Sequence, residues 1–253
     1  MSSQNSSEVA KKPVKFRRLL LKVGGESLCS QNDSGGGSGI EVEAAGRTAD
    51  LIVSLHGLGV EIGLVLGGGN ILRGGTLAGG GLERTTADAM GMLATVMNAM
   101  ALADTIQARG VDARVLTAFP VGGFTELFSA RGARRHLAAG RIVLMAGGTG
   151  NPFFTTDTNA ALRAAEIGAD ILIKATKVDG VYSEDPMVNP DAIRYPTLTY
   201  RDVIERNLGV MDITAITLCM ENRIPLVVCD LWQAGAVEAV LQGSTDTGTL
   251  IGR

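Results

Sequence analysis

One segment of this chain, residues 60–75, constrains its fold more than any other: VEIGLVLGGGNILRGG. Residues 61–66 form an apolar run of strand length, and the glycines at 67–69 end it where a side chain would keep a ligand away from the backbone. Backbone N–H groups followed by the guanidinium of Arg73 are typical of an anion site, and phosphate is its commonest biological occupant. A triple glycine is also typical of a plain tight turn, so both interpretations stay open at this point.

Strand-like and helix-like segments alternate along the chain. Apolar strand patterns occupy residues 17–23, 61–66, 113–117, 141–145, 169–175 and 225–229. Helix patterns occupy residues 42–58, 87–109, 130–139, 158–167, 199–207, 214–222 and 233–241. Without an internal repeat or a linker, this alternation predicts one α/β domain, a three-layer αβα sandwich with a mainly parallel central sheet. Residues 119–128 are predicted to be a loop.

Composition and charge exclude some partners. Hydrophobic residues make up 45% of the 253 residues, with 34 glycines and 4% aromatic residues, which fits a compact chain with many backbone turns. The formal net charge of -3 offers no basic face to nucleic acid or to anionic lipid. We therefore expect no nucleic-acid partner and no membrane partner.

Cysteine spacing and the N-terminal residues are used to predict the cellular compartment of the protein. Cys29, Cys219 and Cys229 have no CxxC spacing, and with only 2 histidines in the chain a zinc site is not expected. Residues 1–15 are polar and lack the apolar segment of a secretory signal, which predicts a flexible tail on a cytoplasmic protein. The apolar stretch at residues 90–103 is too short to span a bilayer, which favours a core helix or a subunit-interface helix.

Polar and glycine-rich segments follow four of the predicted strands. Because ligands bind beyond the carboxyl ends of parallel strands, we expect Lys22, residues 67–73, residues 149–157 and residues 176–185 to converge on one edge of the sheet. No GxGxxG follows a strand and no GxxxxGK[ST] occurs in the chain, which argues against a Rossmann dehydrogenase and a P-loop kinase. Phosphate binding must then use another arrangement.

Five segments carry a strong resemblance to a known family. They are LLLKVGGESL (19–28), LGGGNILRG (66–74), DAMGMLATVMNAMAL (88–102), GTGNPFFTTDTNAALRAAEIGAD (148–170) and KATKVDGVYSEDP (174–186). Together they resemble bacterial uridylate (UMP) kinases of the amino acid kinase superfamily. The resemblance implies an amino acid kinase domain at residues 16–253, with UMP and the subunit interface in its N-terminal part and ATP in its C-terminal part. It implies transfer of the ATP γ-phosphate to UMP.

The resemblance also implies site residues. ATP would be bound by Lys22, Val23, Gly24, Gly25, Gly69, Arg73, Thr176, Tyr182 and Asp185. UMP would be bound by Gly68, Asp88, Thr149, Gly150, Asn151, Pro152, Phe153, Phe154, Thr155 and Thr156. The catalytic candidates are Lys22 and Arg73, which neutralise the transferring phosphate, and Asp157 and Asp212, which orient Lys22 or water on the metal. Mg²⁺ would be held by ATP, without protein ligands.

Plainer roles remain open for several of these residues. Lys22 is equally a candidate for a solvated lysine at a strand end, and Asp157 for the N-cap of the following helix. Asp88 is suited to accept hydrogen bonds from ribose hydroxyls, but it also fits a simple acid in the first turn of a helix. Asp212 has the weakest local context.

The resemblance further implies a homohexamer with GTP and UTP as effectors. Some positions depart from the family pattern. Gly24 replaces a serine found in many members, and Gln107 and Ala130 replace a histidine and a tryptophan of the GTP site, although Asp104, Arg114 and Arg141 are compatible with it. A glycine-rich insertion at residues 34–39 lies in a segment linked to the same control. Two other functions stay open: phosphorylation of a carboxylate or carbamate, and nucleotide binding without catalysis.

Overall fold

The structure is a computed structural model that describes residues 13–29, 38–72 and 81–252. Within these residues the strands are β1 Arg18–Val23, β2 Glu61–Leu66, β3 Ala113–Thr117, β4 Glu126–Leu127, β5 Ile142–Ala146, β6 Ile171–Thr176, β7 Val181–Tyr182, β8 Arg194–Tyr195, β9 Thr197–Thr199, β10 Leu226–Asp230 and β11 Gly248–Gly252. The helices are α1 Val42–His56, α2 Arg84–Gln107, α3 Ala130–Ala138, α4 Thr156–Ile167, α5 Tyr200–Glu205, α6 Ile213–Asn222 and α7 Ala236–Leu241. A short 3₁₀ helix, Gly25–Leu28, follows β1.

Nine of these strands form one sheet in the order β4-β3-β5-β2-β1-β6-β10-β11-β9. Neighbouring strands run parallel except for β10 and β11. Strands β7 and β8 form a separate antiparallel pair. The predicted mainly parallel sheet is confirmed, and β1 and β2 lie near its centre.

Alternating side chains of the central strands feed two apolar layers. In β1, Leu19 and Leu21 pack into the layer under α1, α2 and α7, whereas Leu20 packs into the layer under α3 to α6. A parallel sheet that is covered on both faces needs apolar residues on both sides of each strand, which explains the continuous run RLLLKV. The predicted three-layer αβα sandwich is confirmed.

The structure adds short strands that the sequence analysis missed. Strand β4 lies inside the predicted loop at residues 119–128, and β9 and β11 extend the sheet beyond β10. Strands β4 and β9 have only two or three residues, too few for a recognisable periodicity. Strand β11 has five residues, but its sequence GTLIG begins and ends with glycine, which is depleted in strands. Residues 1–12 of the predicted tail lie outside the described residues, while the backbone N–H of Lys15 donates to the Leu241 carbonyl at 2.8 Å.

Helix α2 fixes two strand ends. The Asn98 side chain, fully buried, donates from Nδ2 to the Gly67 carbonyl and to Asn70 Oδ1, both at 2.7 Å. One turn earlier, Thr95 Oγ1 accepts a 2.9 Å hydrogen bond from the Gly147 N–H, after β5. One face of α2 therefore holds both glycine-rich turns.

Among the described residues, α2 is also the one helix long and apolar enough to cross a membrane by length and composition. Its contacts are those of a core helix, because Val96, Ala99 and Leu102 are buried in the layer over the sheet. The buried amide of Asn98 and hydroxyl of Thr95 have hydrogen-bond partners in that layer. Packing explains the apolar residues of its buried face, whereas Met90, Leu93, Met97 and Met100 are exposed.

We predict that Asn98→Leu destabilises the fold by about 2–4 kcal/mol, because it removes the amide that donates to the Gly67 carbonyl and to Asn70 Oδ1, while Asn70 Nδ2 keeps its hydrogen bond to the Gly39 carbonyl. Asn222→Leu, at an exposed asparagine of α6, serves as the matched control and should stay within about 0.5 kcal/mol of the parent protein. Urea unfolding of both variants measures the difference. Equal stabilities would show that the Asn98 network contributes nothing.

Candidate active site

The turns after β1 and β2 pack backbone against backbone at the carboxyl edge of the sheet. The Gly67 N–H donates to the Val23 carbonyl at 2.9 Å. A Cβ at Gly25 would lie 2.7 Å from the Gly67 carbonyl oxygen and 2.2 Å from Asn70 Oδ1, so residue 25 must be glycine. The side chain of Val23 is buried, so only its backbone remains available to a ligand.

Two lysines lie side by side at this edge and share one carboxylate. Lys22 of β1 and Lys174 of β6 are partners in the parallel register. Lys22 Nζ lies 3.0 Å from Asp157 Oδ1, and Lys174 Nζ lies 2.7 Å from Asp157 Oδ2. The three side chains are only 14–16% exposed. Two ammonium groups and one carboxylate leave one positive charge uncompensated at the strand ends.

The charge state of Asp157 follows from these neighbours. Burial opposes ionisation of its carboxyl, but the charges of Lys22 and Lys174 and their hydrogen bonds outweigh burial and hold the pKa of Asp157 below its ordinary value. Lys174 also donates to the Val210 carbonyl. Lys174 therefore connects β6 to α4 through Asp157 and to the segment before α6 through Val210.

The N-terminus of α4 is held by a second aspartate. Thr155 is the N-cap of α4, accepting from the Thr158 N–H at 3.1 Å, so the prediction that Asp157 caps this helix is wrong. Asp212 caps α6 and accepts hydrogen bonds from the hydroxyls of Thr155 and Thr158. Asp212 therefore joins α6 to α4. Threonine is also a good N-cap residue, and the helix begins at Thr156, two residues before its predicted start.

A cavity of about 340 Å³ opens between α2, α4 and the two glycine-rich turns. Of the predicted nucleotide-binding residues, those lining it are Gly68, Gly69, Asp88, Thr149, Asn151, Phe154, Thr155 and Thr156. Leu66, Met92, Thr95 and Asn159 complete its deeper wall, and Arg84 lies at its mouth with Asp88. Predicted residues from three separate chain segments therefore meet around one space.

Asp88 links α2 to the loop before α4. Its carboxylate accepts from Arg84 Nε at 2.9 Å and from the Phe153 N–H at 2.8 Å. Phe153 has a φ of 72°, an uncommon conformation for a bulky residue, and the Arg84 guanidinium lies 5.6 Å from its ring centroid. Asp88 thus fixes the loop at the one residue whose backbone conformation is uncommon for its type.

The rest of the loop before α4 is held by hydrogen bonds within the loop and by Arg163 of α4. Thr149 Oγ1 accepts from the Asn151 N–H at 3.2 Å, within the turn that contains Gly150 and Pro152. Beneath it, buried Arg163 donates to the Gly148 carbonyl at 3.2 Å, pairs with Glu166 at 2.6 Å and lies 4.0 Å from the Phe128 ring centroid. Phe154 is exposed on the cavity wall.

The residues predicted for ATP beyond β6 make local contacts. Thr176 Oγ1 donates to the Val178 carbonyl at 2.7 Å, and Asp185 Oδ1 accepts from the Met187 N–H at 2.9 Å. The Tyr182 hydroxyl donates to Asp179 at 2.6 Å, and this hydrogen bond raises the pKa of Tyr182 above its ordinary value. These contacts shape the segment around the β7–β8 pair.

Lys174, Thr95 and Asn98 shape the site but were not predicted from the sequence as site residues. Arg73, a predicted catalytic residue, lies outside the described residues. Lys174 and Thr95 stand in segments that the sequence analysis quoted only as family motifs, and Asn98 was an isolated polar residue in an apolar helix. Such an isolated polar residue was a usable signal, because a buried amide needs partners.

Comparison with known proteins agrees with this architecture. The model of the amino acid kinase family matches residues 17–230. The uridylate kinase of Methylococcus capsulatus (strain Bath) is 50% identical over 236 residues, covering 93% of this chain and 97% of that protein. The uridylate kinase of Alcanivorax borkumensis is 47% identical over 237 residues, covering 94% and 92%. The crystal structure of UMP kinase from Bacillus anthracis matches with a TM-score of 0.88 at 33% identity, covering 94% of this chain and 96% of that one.

Replacing Asp157 by asparagine should destabilise the protein by about 1–3 kcal/mol, because two poorly exposed ammonium groups then lack their shared counter-charge. The pKa of Asp157 is held below its ordinary 3.8, so its contribution is complete above that pH and is lost only as pH falls through the lower folded pKa. Urea unfolding should therefore show the same loss at pH 6 and pH 8. Asp50→Asn, which breaks an exposed pair with Arg109, is the control and should have little effect.

Neighbouring glycines of the turn after β2 should respond differently to alanine. A Cβ at Gly68 would lie 2.9 Å from the Ala94 Cβ and from the Gly91 carbonyl oxygen, so Gly68→Ala should cost about 1–3 kcal/mol. At Gly69 no atom lies within 4 Å of a Cβ and φ is not positive, so Gly69→Ala should stay within about 0.5 kcal/mol. Thermal unfolding separates the two, and equal losses would contradict the close packing of α2 on this turn.

Proposed function

The chain belongs to the amino acid kinase family, and we propose that it is an ATP:UMP phosphotransferase that makes UDP and ADP for pyrimidine nucleotide synthesis. One observation carries the proposal: the cavity that joins the glycine turn after β2, Asp88 and the loop before α4 beside the shared Lys22–Asp157–Lys174 charges. The relatives with matching segments over nearly their whole length are named uridylate kinases.

Phosphorylation of UMP requires neutralisation of phosphate charge more than it requires a general base. A phosphate monoester has a second pKa of about 6, so UMP is already a dianion near neutral pH. The cavity lining contains no histidine among the described residues, and none is needed for proton removal. The task is to hold two anionic phosphate groups in line and to neutralise the group in transfer.

The contacts of Lys22 suit it to neutralise the phosphate group in transfer. Asp157 fixes its position, but Lys174 shares the same carboxylate, so that Asp157 does not fully neutralise Lys22. The backbone N–H groups of the turns after β1 and β2 supply further donors at the same edge, and preorganised donors of this kind stabilise charge that develops in the transition state. We assign the transferring phosphate to Lys22 and, from the family resemblance, to Arg73.

Each nucleotide would then contact its own set of residues. Asp88, at the cavity mouth, would accept from the ribose hydroxyls of UMP, and Thr149 to Thr156 would surround its base. ATP would lie over residues 22–25 and Gly69, with its adenine-ribose end near Thr176, Tyr182 and Asp185. This division follows the family resemblance, and the shared edge of β1, β2 and β6 supports it.

Mg²⁺ would enter with ATP. Among the described residues no cluster of three metal-binding side chains occurs, and the carboxylates near the site are engaged. Asp157 is engaged by lysines, Asp212 by threonines, and Asp88 by Arg84 and the Phe153 N–H. The phosphates of ATP would therefore hold the cation, as hard oxygen ligands do. When bound, it screens the negative charge of the donor phosphates.

We also propose a homohexamer built partly on α2. Met90, Leu93, Met97 and Met100 form an exposed apolar stripe along this helix, as expected of a face that a second subunit covers. GTP and UTP remain proposed effectors, with Asp104 and Arg114 lining a separate cavity that also contains Gln107. Burial raises the pKa of Cys219 and Cys229 to about 12, and unreactive free thiols fit a cytoplasmic location.

An acceptor panel with Mg-ATP tests the proposal. The wild type should form UDP from UMP and should not phosphorylate N-acetylglutamate, glutamate or aspartate. Lys22→Ala and Lys22→Met should lower turnover by about 10²-fold or more, by analogy with the loss of one oxyanion donor. Lys15→Met, at an exposed lysine, is the control and should keep full activity.

Two outcomes would overturn this function. Phosphorylation of a carboxylate substrate without UMP would make the protein a different kinase of the same family. A wild type that binds ATP but transfers nothing would indicate a nucleotide-binding protein without catalysis.

A further inference from the structure

Asn159 is a polar residue in the cavity wall with no assigned task. It lies in the first turns of α4 and is only 1% exposed. Its Oδ1 atom is buried and has no hydrogen-bond partner in the part of the chain that the structure describes. A buried acceptor without a partner is unfavourable in the free protein, so a partner from outside the chain would be bound at this point.

The position of Asn159 on α4 directs it to the cavity. Thr156 and Arg163, three residues before and four after it, lie on the same helix face. Thr156 lines the cavity with Asn159, and Arg163 donates to the Gly148 carbonyl beneath the cavity wall. Asn159 therefore belongs to the face that meets the acceptor nucleotide.

The chemistry of UMP leaves one donor for this oxygen. The phosphate oxygens of the dianion only accept hydrogen bonds, and the ribose hydroxyls are assigned to Asp88. The remaining donor is the N3–H of uracil, which lies between two carbonyl groups. An asparagine amide has an acceptor and a donor side by side, so it can accept from N3–H while its Nδ2 donates to a neighbouring carbonyl.

We propose that Asn159 is a specificity-determining residue that binds the imide edge of the acceptor base. This inference rests on the proposed function and deepens it. The amide gains its hydrogen bonds only when the nucleotide is bound, so its contribution goes to substrate recognition and not to the stability of the free protein.

Stability gives the first test, because a structural asparagine would behave in the opposite way. Asn159→Leu keeps the branched shape of the side chain and removes the unpaired acceptor, so its melting temperature without ligand should equal or exceed that of the wild type. Asn222→Leu is the control for the substitution. A clear drop in the melting temperature of Asn159→Leu with unchanged UMP kinetics would identify a structural role and overturn the proposal.

Steady-state kinetics gives the second test. Asn159→Leu and Asn159→Ala should raise the KM for UMP about tenfold or more and leave the KM for ATP within about twofold. N3-methyl-UMP lacks the donor, so the wild type should discriminate strongly against it, and Asn159→Ala should lose most of that discrimination. Unchanged discrimination would exclude the base contact even if the KM for UMP rose.

The same assays separate the two proposals. A wild type that forms no UDP from UMP contradicts the proposed function itself. A wild type that is active on UMP, with Asn159 variants that match it in KM and in discrimination, contradicts only the inference about Asn159.

Discussion

The shared carboxylate of Asp157 is the interaction on which the rest of the site depends. It lies between Lys22 and Lys174, which are register partners on adjacent parallel strands and would repel each other without it. The arrangement ties β1, β6 and the first turn of α4 together while leaving net positive charge at the strand ends. A simple ion pair would have fixed Lys22 equally well but would have neutralised it.

Helix α2 sets the geometry on the other side. Thr95 and Asn98 hold the turns after β5 and β2 by direct hydrogen bonds, and Asp88 holds the loop before α4 through the Phe153 N–H. These turns consist largely of backbone, with few side chains to define their shape. A single rigid helix that contacts all three therefore determines where their N–H groups point, which explains why a helix so apolar contains a buried amide.

Much of this could be predicted from the sequence, and the missing parts share a physical cause. The long apolar strands and the glycine-rich strand ends are local patterns, so the sheet and the meeting of the turns after β1 and β2 at one edge followed from them. The pairing of Lys174 with Asp157 could not be predicted from the sequence, because it depends on the strand register and on the placement of α4. The cap role that stayed open for Asp157 is wrong for the same reason: the helix begins at Thr156, two residues before its predicted start, which makes Thr155 the cap.

The register of β1 against β6 has a consequence for how this fold can vary. Leu19 pairs with Ile171 and Lys22 with Lys174, and successive side chains point to opposite faces of the sheet. A deletion of one residue before Lys22 within β1 would turn Lys22 into the apolar layer of Leu19 and place Val23 among the charges. Insertions and deletions are therefore compatible with this fold in the connections between the strands and not within β1 or β6, whose register must be kept.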